Sequence, residues 1–198
     1  MRLAAVVLAA GRSSRMGRNK LLLEVAGRTV LDRLLDAIDA STVGQTVVVQ
    51  GHNPNDINPV AEAHNAETVL NANYDRGMTS SFITGLKRVD ADAAFLVLGD
   101  QLGLEPRLLD DMGRAIDENP LALIVSPVHE GRRGHPTLFR DSIFPEILGL
   151  GENETMKDIV VRHEPDHYEV EGGPWCTMDF DTPEDFERAV RLFEASRV

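Results

Sequence analysis

The apolar run Leu3-Ala4-Ala5-Val6-Val7-Leu8-Ala9 passes directly into a short glycine-punctuated loop, Ala10-Gly11-Arg12-Ser13-Ser14-Arg15-Met16-Gly17-Arg18-Asn19-Lys20. A continuous apolar run of this length, bounded by turn residues, predicts a strand buried on both faces. A strand ending in such a loop offers backbone N–H groups and fixed cations at the edge of a sheet, and a polyphosphate binds to that combination. Two better-known phosphate loops do not fit. The dinucleotide fingerprint needs three glycines as Gly-x-Gly-x-x-Gly, and only Gly11 and Gly17 are present. A P-loop needs four residues between its glycines and then Lys-Ser/Thr; here five intervene, Arg18 and Asn19 follow, and Leu21 follows Lys20.

The rest of the chain alternates strand and helix patterns. Strands are predicted at 46–50, 67–70, 94–98 and 122–126, and helices at 29–40, 57–64, 106–118, 155–162 and 183–195. Asn53-Pro54-Asn55-Asp56 reads as a turn, and Thr79 or Ser80 as the cap of a helix reaching Arg88. Pro127 to Phe139 reads as a hairpin or an excursion from the sheet. Such an order predicts an α/β fold in three layers, Rossmann-like, with a mostly parallel sheet between helices. Ligands in these folds bind at the carboxyl ends of the strands. A single domain over residues 1–198 is expected.

Charge narrows the partners. The net charge of −12 argues against a nucleic-acid binder. Residues 1–28 nevertheless hold six basic side chains against one acid, while the remainder holds fourteen against thirty-one. An acidic protein with one cationic loop suits a small, highly charged anion. No apolar run reaches the roughly 18 residues of a membrane span. The first residues lack the form of a signal peptide, and Cys176 is the one cysteine. A cytoplasmic protein without membrane association is the expectation.

Gly99-Asp100-Gln101 closes the strand Phe95-Leu96-Val97-Leu98, which aims Asp100 into the ligand crevice as a candidate magnesium ligand. Magnesium binds through one or two carboxylates together with substrate phosphates. Asp179-Phe180-Asp181, read as a strand end ahead of a helix capped by Thr182, supplies a second carboxylate. The segment Asn71 to Gly85 is small and polar; Ser80 is its candidate contact to base or ribose, while Thr79 and Ser81 read as cap residues. Gly131-Arg132-Arg133-Gly134-His135-Pro136 carries cations suited to an acceptor phosphate. His163-Glu164-Pro165-Asp166-His167 matches a metalloprotease pattern literally, but Pro165 breaks the continuous helix that the pattern requires.

The stretch Leu8-Ala9-Ala10-Gly11-x-x-x-Arg15-Met16-Gly17-x-x-Lys20 resembles the signature of nucleotidyltransferases with a glycosyltransferase-A-like fold, the nucleotide-diphospho-sugar transferase type. With Gly99-Asp100-Gln101, Gly134-His135-Pro136 and Asp179-to-Asp185, nearly the whole chain resembles the molybdenum cofactor cytidylyltransferases. That resemblance implies CMP transfer from CTP to molybdopterin with release of pyrophosphate, supported by Mg2+. It implies Arg15, Lys20 and Asp100 as catalytic residues. Leu8, Ala9, Ala10, Gly11, Arg12, Arg15, Lys20, Ser80 and Asp100 would contact the nucleotide, and Arg132, Arg133 and His135 the acceptor. Asp100 and Asp181 would hold the metal, with Asp179 as substitute for Asp181. A molybdoenzyme receiving the product is an implied partner. Guanylyl relatives usually read Leu-Ala-Gly-Gly, so Ala10 points to a pyrimidine. The family commonly has proline after Gly-Asp-Gln where this chain has Leu102, which leaves the acceptor open. GTP, a sugar-phosphate or isoprenoid-phosphate acceptor, and a non-catalytic nucleotide-binding protein are the alternatives.

Overall fold

The computed structural model describes residues 1–12, 16 and 19–195. Arg15 and Arg18 lie outside the described residues. β1 (Leu3–Ala9) is central in an eight-stranded sheet. It pairs in parallel with β4 (Gln45–Gln50) on one side and β6 (Ala93–Leu98) on the other. β5 (Glu67–Leu70) extends the sheet beyond β4. The order is β10-β7-β9-β6-β1-β4-β5, with β7 at Ile124–His129, β9 at Thr137–Arg140 and β10 at His167–Glu171. β9 alone on this path runs against its neighbours, β6 and β7. The 127–139 excursion is therefore a hairpin: β8 (Arg132–Arg133) pairs with β7, and the chain returns as β9.

Side chains alternate across a strand, and β1 divides its residues accordingly. Leu3, Ala5, Val7 and Ala9 join a core with α1 (Val30–Asp39), α2 (Pro54–Ala63) and α4 (Pro106–Glu118). Ala4 and Val6 face a second core with α3 (Met78–Leu86), α5 (Phe144–Leu148) and α6 (Met156–Arg162). The three-layer α/β expectation is thus met. A third, smaller core joins the two-stranded ribbon of β2 (Glu24–Val25) and β3 (Arg28–Thr29) to α7 (Pro183–Ala195), through Leu23, Val25, Leu102, Phe180 and Ala189.

Four local expectations are corrected. α2 begins at Pro54 rather than 57, because proline fits a first helical turn, where no N–H is needed. α3 starts on Gly77 (φ +97) without a hydroxyl cap; the Thr79 hydroxyl instead accepts from the Met156 N–H at the start of α6, 3.2 Å away. The strand expected at 122–126 runs Ile124–His129. Asp179-Phe180-Asp181 joins no strand: Phe180 is buried in the third core and leaves both acids outside it. The Thr182 cap is present, its hydroxyl accepting from the Asp185 N–H at 3.2 Å. α6 ends before His163, and Glu164–Asp166 form a short 3-10 turn. His163 pairs with Glu146 (2.6 Å) and His167 with the Ser126 hydroxyl (2.9 Å), so the two histidines serve separate places. Among the described residues no helix is long and apolar enough to cross a membrane.

Candidate active site

The carboxyl ends of β1 and β6 lie side by side and open into a cleft of about 310 Å³. Leu8, Ala10, Gly11 and Lys20 line it from the first loop, Leu98, Gly99 and Asp100 from the exit of β6, and Tyr74, Gly77, Met78 and Ser81 from the start of α3. Gly99 allows the two strand ends to meet: a Cβ there would sit 2.7 Å from the Leu8 carbonyl oxygen.

Lys20 organises the polar side of the cleft. Its ammonium donates to Asp181 Oδ1 at 2.9 Å, contacts Asp100 Oδ2, and lies 5.7 Å from the centre of the Phe180 ring. The side chains of Lys20 and Asp100 are 18% and 19% exposed, and Asp181 is 53% exposed. Burial alone would lower the Lys20 pKa, but the two carboxylates outweigh it and hold the pKa above the ordinary lysine value. Asp100 and Asp181, eighty-one positions apart, thus converge on one cation. Their oxygen donors suit a hard divalent ion that takes its remaining ligands from phosphate and water. Asp179, the substitute, is exposed and contributes to the field at His135.

The other expected residues divide. Arg12 stands at the rim, its guanidinium 5.3 Å from the centre of the Tyr74 ring and donating to the Tyr74 hydroxyl at 3.2 Å. Leu8, Ala10 and Gly11 line the cleft. Ala9 does not, because strand alternation turns its methyl into the core beneath α1. Ser80 is also displaced: its hydroxyl is bonded to the Asn73 and Gly77 carbonyls, both at 3.0 Å, and it borders a different cleft. Ser81, read as a cap residue, is the serine in the cleft wall, and its oxygen accepts from Asn71 Nδ2 at 3.1 Å. Tyr74 and Met78 also line the cleft, and the small polar composition of Asn71 to Gly85 is the sequence signal for them.

His135 is anchored through its backbone. Its N–H donates to the Cys176 carbonyl at 2.8 Å, and its carbonyl accepts from Gln101 Nε2 at 2.7 Å. Gln101 Oε1 in turn accepts from the Leu98 N–H at 3.3 Å, so the exit of β6 and the His135 turn are tied together. Burial pushes the His135 pKa down despite the nearby Asp179 and Asp100, which keeps the imidazole neutral. Arg133, expected at the acceptor, is paired within the protein: its guanidinium is bonded to Glu164 (2.7 and 2.8 Å) and Glu169 (2.6 Å), two carboxylates that already match its charge. Arg132 is exposed and lines neither cleft beside Asp100.

Lys20 held by two carboxylates beside a cleft at the carboxyl ends of β1 and β6, on this sheet, is the arrangement of a nucleotidyltransferase of the nucleotide-diphospho-sugar transferase type. The chain belongs to the MobA-like NTP transferase domain family, whose sequence model matches residues 5–167. It is 28% identical over 184 residues to the molybdenum cofactor cytidylyltransferase of Escherichia coli (strain K12), covering 91% of this chain and 92% of that one. It is 27% identical over 203 residues to a probable molybdenum cofactor guanylyltransferase of Natronomonas pharaonis, covering 93% and 95%. The crystal structure of Rv0371c of Mycobacterium tuberculosis H37Rv in complex with manganese superposes with a TM-score of 0.79 at 26% identity, covering 96% of this chain and 99% of that chain.

Proposed function

We propose that this nucleotidyltransferase moves CMP from CTP to the phosphate of molybdopterin and releases pyrophosphate, with Mg2+ as its divalent ion. The observation that carries the reading is the convergence of Lys20, Asp100 and Asp181 at the mouth of a cleft built from the ends of β1 and β6. The likeness to a cytidylyltransferase over nine-tenths of both chains supports it.

In this reading an acceptor phosphate oxygen attacks the α-phosphorus in line. The bond to the β-phosphate oxygen breaks, and its electron pair leaves on pyrophosphate. Such a transfer depends on positioning and charge stabilisation rather than on a protein nucleophile. Lys20 and Arg15 neutralise the charge that develops on the leaving pyrophosphate, with Arg12 in support at the rim. Asp100 and Asp181 would hold the divalent ion, which would neutralise phosphate charge. The ionised acceptor phosphate needs no strong base, and His135, kept neutral by burial, serves on the acceptor side rather than as a proton carrier. Ala10 narrows the base side of the cleft in favour of a pyrimidine.

The guanylyl relative keeps a second reading, GTP as donor, alive. Pyrophosphate release with CTP against GTP, each with and without molybdopterin, tests both. Release that needs CTP and molybdopterin together is the expected result. A predominant guanylyl product overturns the base assignment, and nucleotide binding without release under every condition overturns the transferase chemistry.

A further inference from the structure

Several arginines of this chain are held by acids. Arg28, Arg133 and Arg162 each meet two carboxylates, and Arg76 meets Glu152. Arg12 is held differently. Its guanidinium stands 5.3 Å from the centre of the Tyr74 ring, and Nη2 donates to the Tyr74 hydroxyl at 3.2 Å. Among the described residues no carboxylate pairs with Arg12. We propose that Tyr74 is a positioning residue for Arg12, its ring and hydroxyl holding the guanidinium at the mouth of the nucleotide cleft for the triphosphate. The proposal rests on the reading above that gives the first loop to the triphosphate, and adds what aims one of its cations.

Charge is the first argument. A carboxylate would hold Arg12 more tightly, but it would also compete with phosphate for the same donors. A ring face and a neutral hydroxyl fix the side chain and leave its charge for an incoming anion. A guanidinium has five N–H donors, and the Tyr74 hydroxyl takes one of them.

The seat of Tyr74 is the second. The ring crowds Gly51, which follows β4: a Cβ there would fall 2.6 Å from Tyr74 Cγ and 2.8 Å from the Ala10 carbonyl oxygen. That carbonyl also accepts from the His52 N–H at 3.3 Å, and the His52 ring lies 6.3 Å from the Tyr74 ring. Tyr74 opens the short 3-10 turn Tyr74–Arg76. The entry to that turn is fixed by Asn71, a buried residue whose Oδ1 accepts from the Asn73 N–H at 2.9 Å. The phenol is therefore set against the ends of β4 and β1, and Arg12 leaves β1 only two residues after Ala10. A long, flexible side chain at the start of the loop is thus referred to a rigid part of the sheet, which lowers the ordering cost of meeting a ligand.

The test uses inorganic tripolyphosphate with Mg2+, which has no base or ribose to touch the Tyr74 ring, titrated by calorimetry beside CTP and GTP. Tyr74→Phe removes the hydroxyl, Tyr74→Leu the ring as well, and Arg12→Ala the cation. Affinity for tripolyphosphate and for CTP should fall about threefold to tenfold in Tyr74→Leu and by less in Tyr74→Phe. The Arg12→Ala/Tyr74→Leu double variant should bind no more weakly than Arg12→Ala alone. Thermal midpoints report whether the variants fold; should Tyr74→Leu not fold, the same cycle with Tyr74→Phe decides. Losses that add in the double variant overturn the proposal, as does full tripolyphosphate affinity in the Tyr74 variants. A loss confined to CTP would put Tyr74 on the base side and overturn it likewise. In each of those cases binding by the unmodified protein leaves the transferase reading standing. An unmodified protein that binds neither nucleotide nor tripolyphosphate removes the triphosphate from the first loop, and the proposal falls with that reading.

Discussion

Lys20 lies between Asp100 and Asp181, the place that the proposed divalent ion would take. Loading the site then requires the ammonium to turn from carboxylates to phosphates as the metal takes its place. Replacing Lys20 with methionine should therefore tighten Mn2+ binding in the absence of nucleotide, read by electron paramagnetic resonance. The same change should weaken nucleotide binding by about tenfold to a hundredfold, since a charge-assisted bond contributes roughly 1.5–3 kcal/mol. Weaker Mn2+ binding in that variant would remove Lys20 from the metal position. Asp100→Asn takes away a charge and almost no volume; turnover should fall about a hundredfold or more, with the thermal midpoint nearly unchanged. Ala10→Gly should blur the preference for CTP over GTP rather than invert it, because one methyl supplies only ~1–3 kcal/mol of discrimination. Competition between equal CTP and GTP, followed by product analysis, measures this.

Between elements, small cores hold the site's parts in register. Leu102 is buried with Phe180, Val25 and Leu23, and so ties the turn after Asp100 to the segment carrying Asp181. Leu102→Ala should cost about 2–5 kcal/mol of stability and raise the Mg2+ concentration needed for half-maximal activity; a lowered midpoint with unchanged Mg2+ dependence would separate that core from the metal site. On the opposite side, His64 at the end of α2 bonds Asp39 at 2.6 Å and Asp32 at 2.9 Å, both on α1. Arg28 shares Asp32 and reaches Asp36. Burial of His64 opposes its charge, and the two carboxylates overcome that and raise its pKa above the usual value. The raised pKa means that the clip's stabilisation is full below the ordinary imidazole range and is lost as pH rises through the folded value. Denaturation midpoints should fall over that interval, and His64→Ala should remove the change.

Across the whole molecule, legibility followed distance along the chain. β1 and β6 are readable because a buried strand announces itself locally; Asp100 follows β6 by two positions, and Lys20 closes the loop that leaves β1. The alternation at Asp179-Phe180-Asp181 has the period of a strand, yet its cause is one buried phenylalanine between two solvated acids. The pairing of Arg133 has no local signal, because Glu164 and Glu169, which engage its guanidinium, lie thirty-one and thirty-six positions away. Ala9 and Ser80 each lie one position from a residue that lines the cleft, since a single step along a strand or helix changes the face. The seat of the Trp175 indole is not legible in the sequence, because the glycine it lies on, Gly103, is seventy-two positions away.

The exit of β6 divides two clefts by sequence: the residues lining the cleft beside Asp100 fall within 8–100, and those lining the cleft beyond Gln101 within 101–176. The ion pairs do not respect that division, because Lys20 from the first length meets Asp181 from the last. An exchange of everything after the Asp100–Gln101 junction would therefore also replace one of the two carboxylates that hold Lys20, so the two lengths are bound to change together.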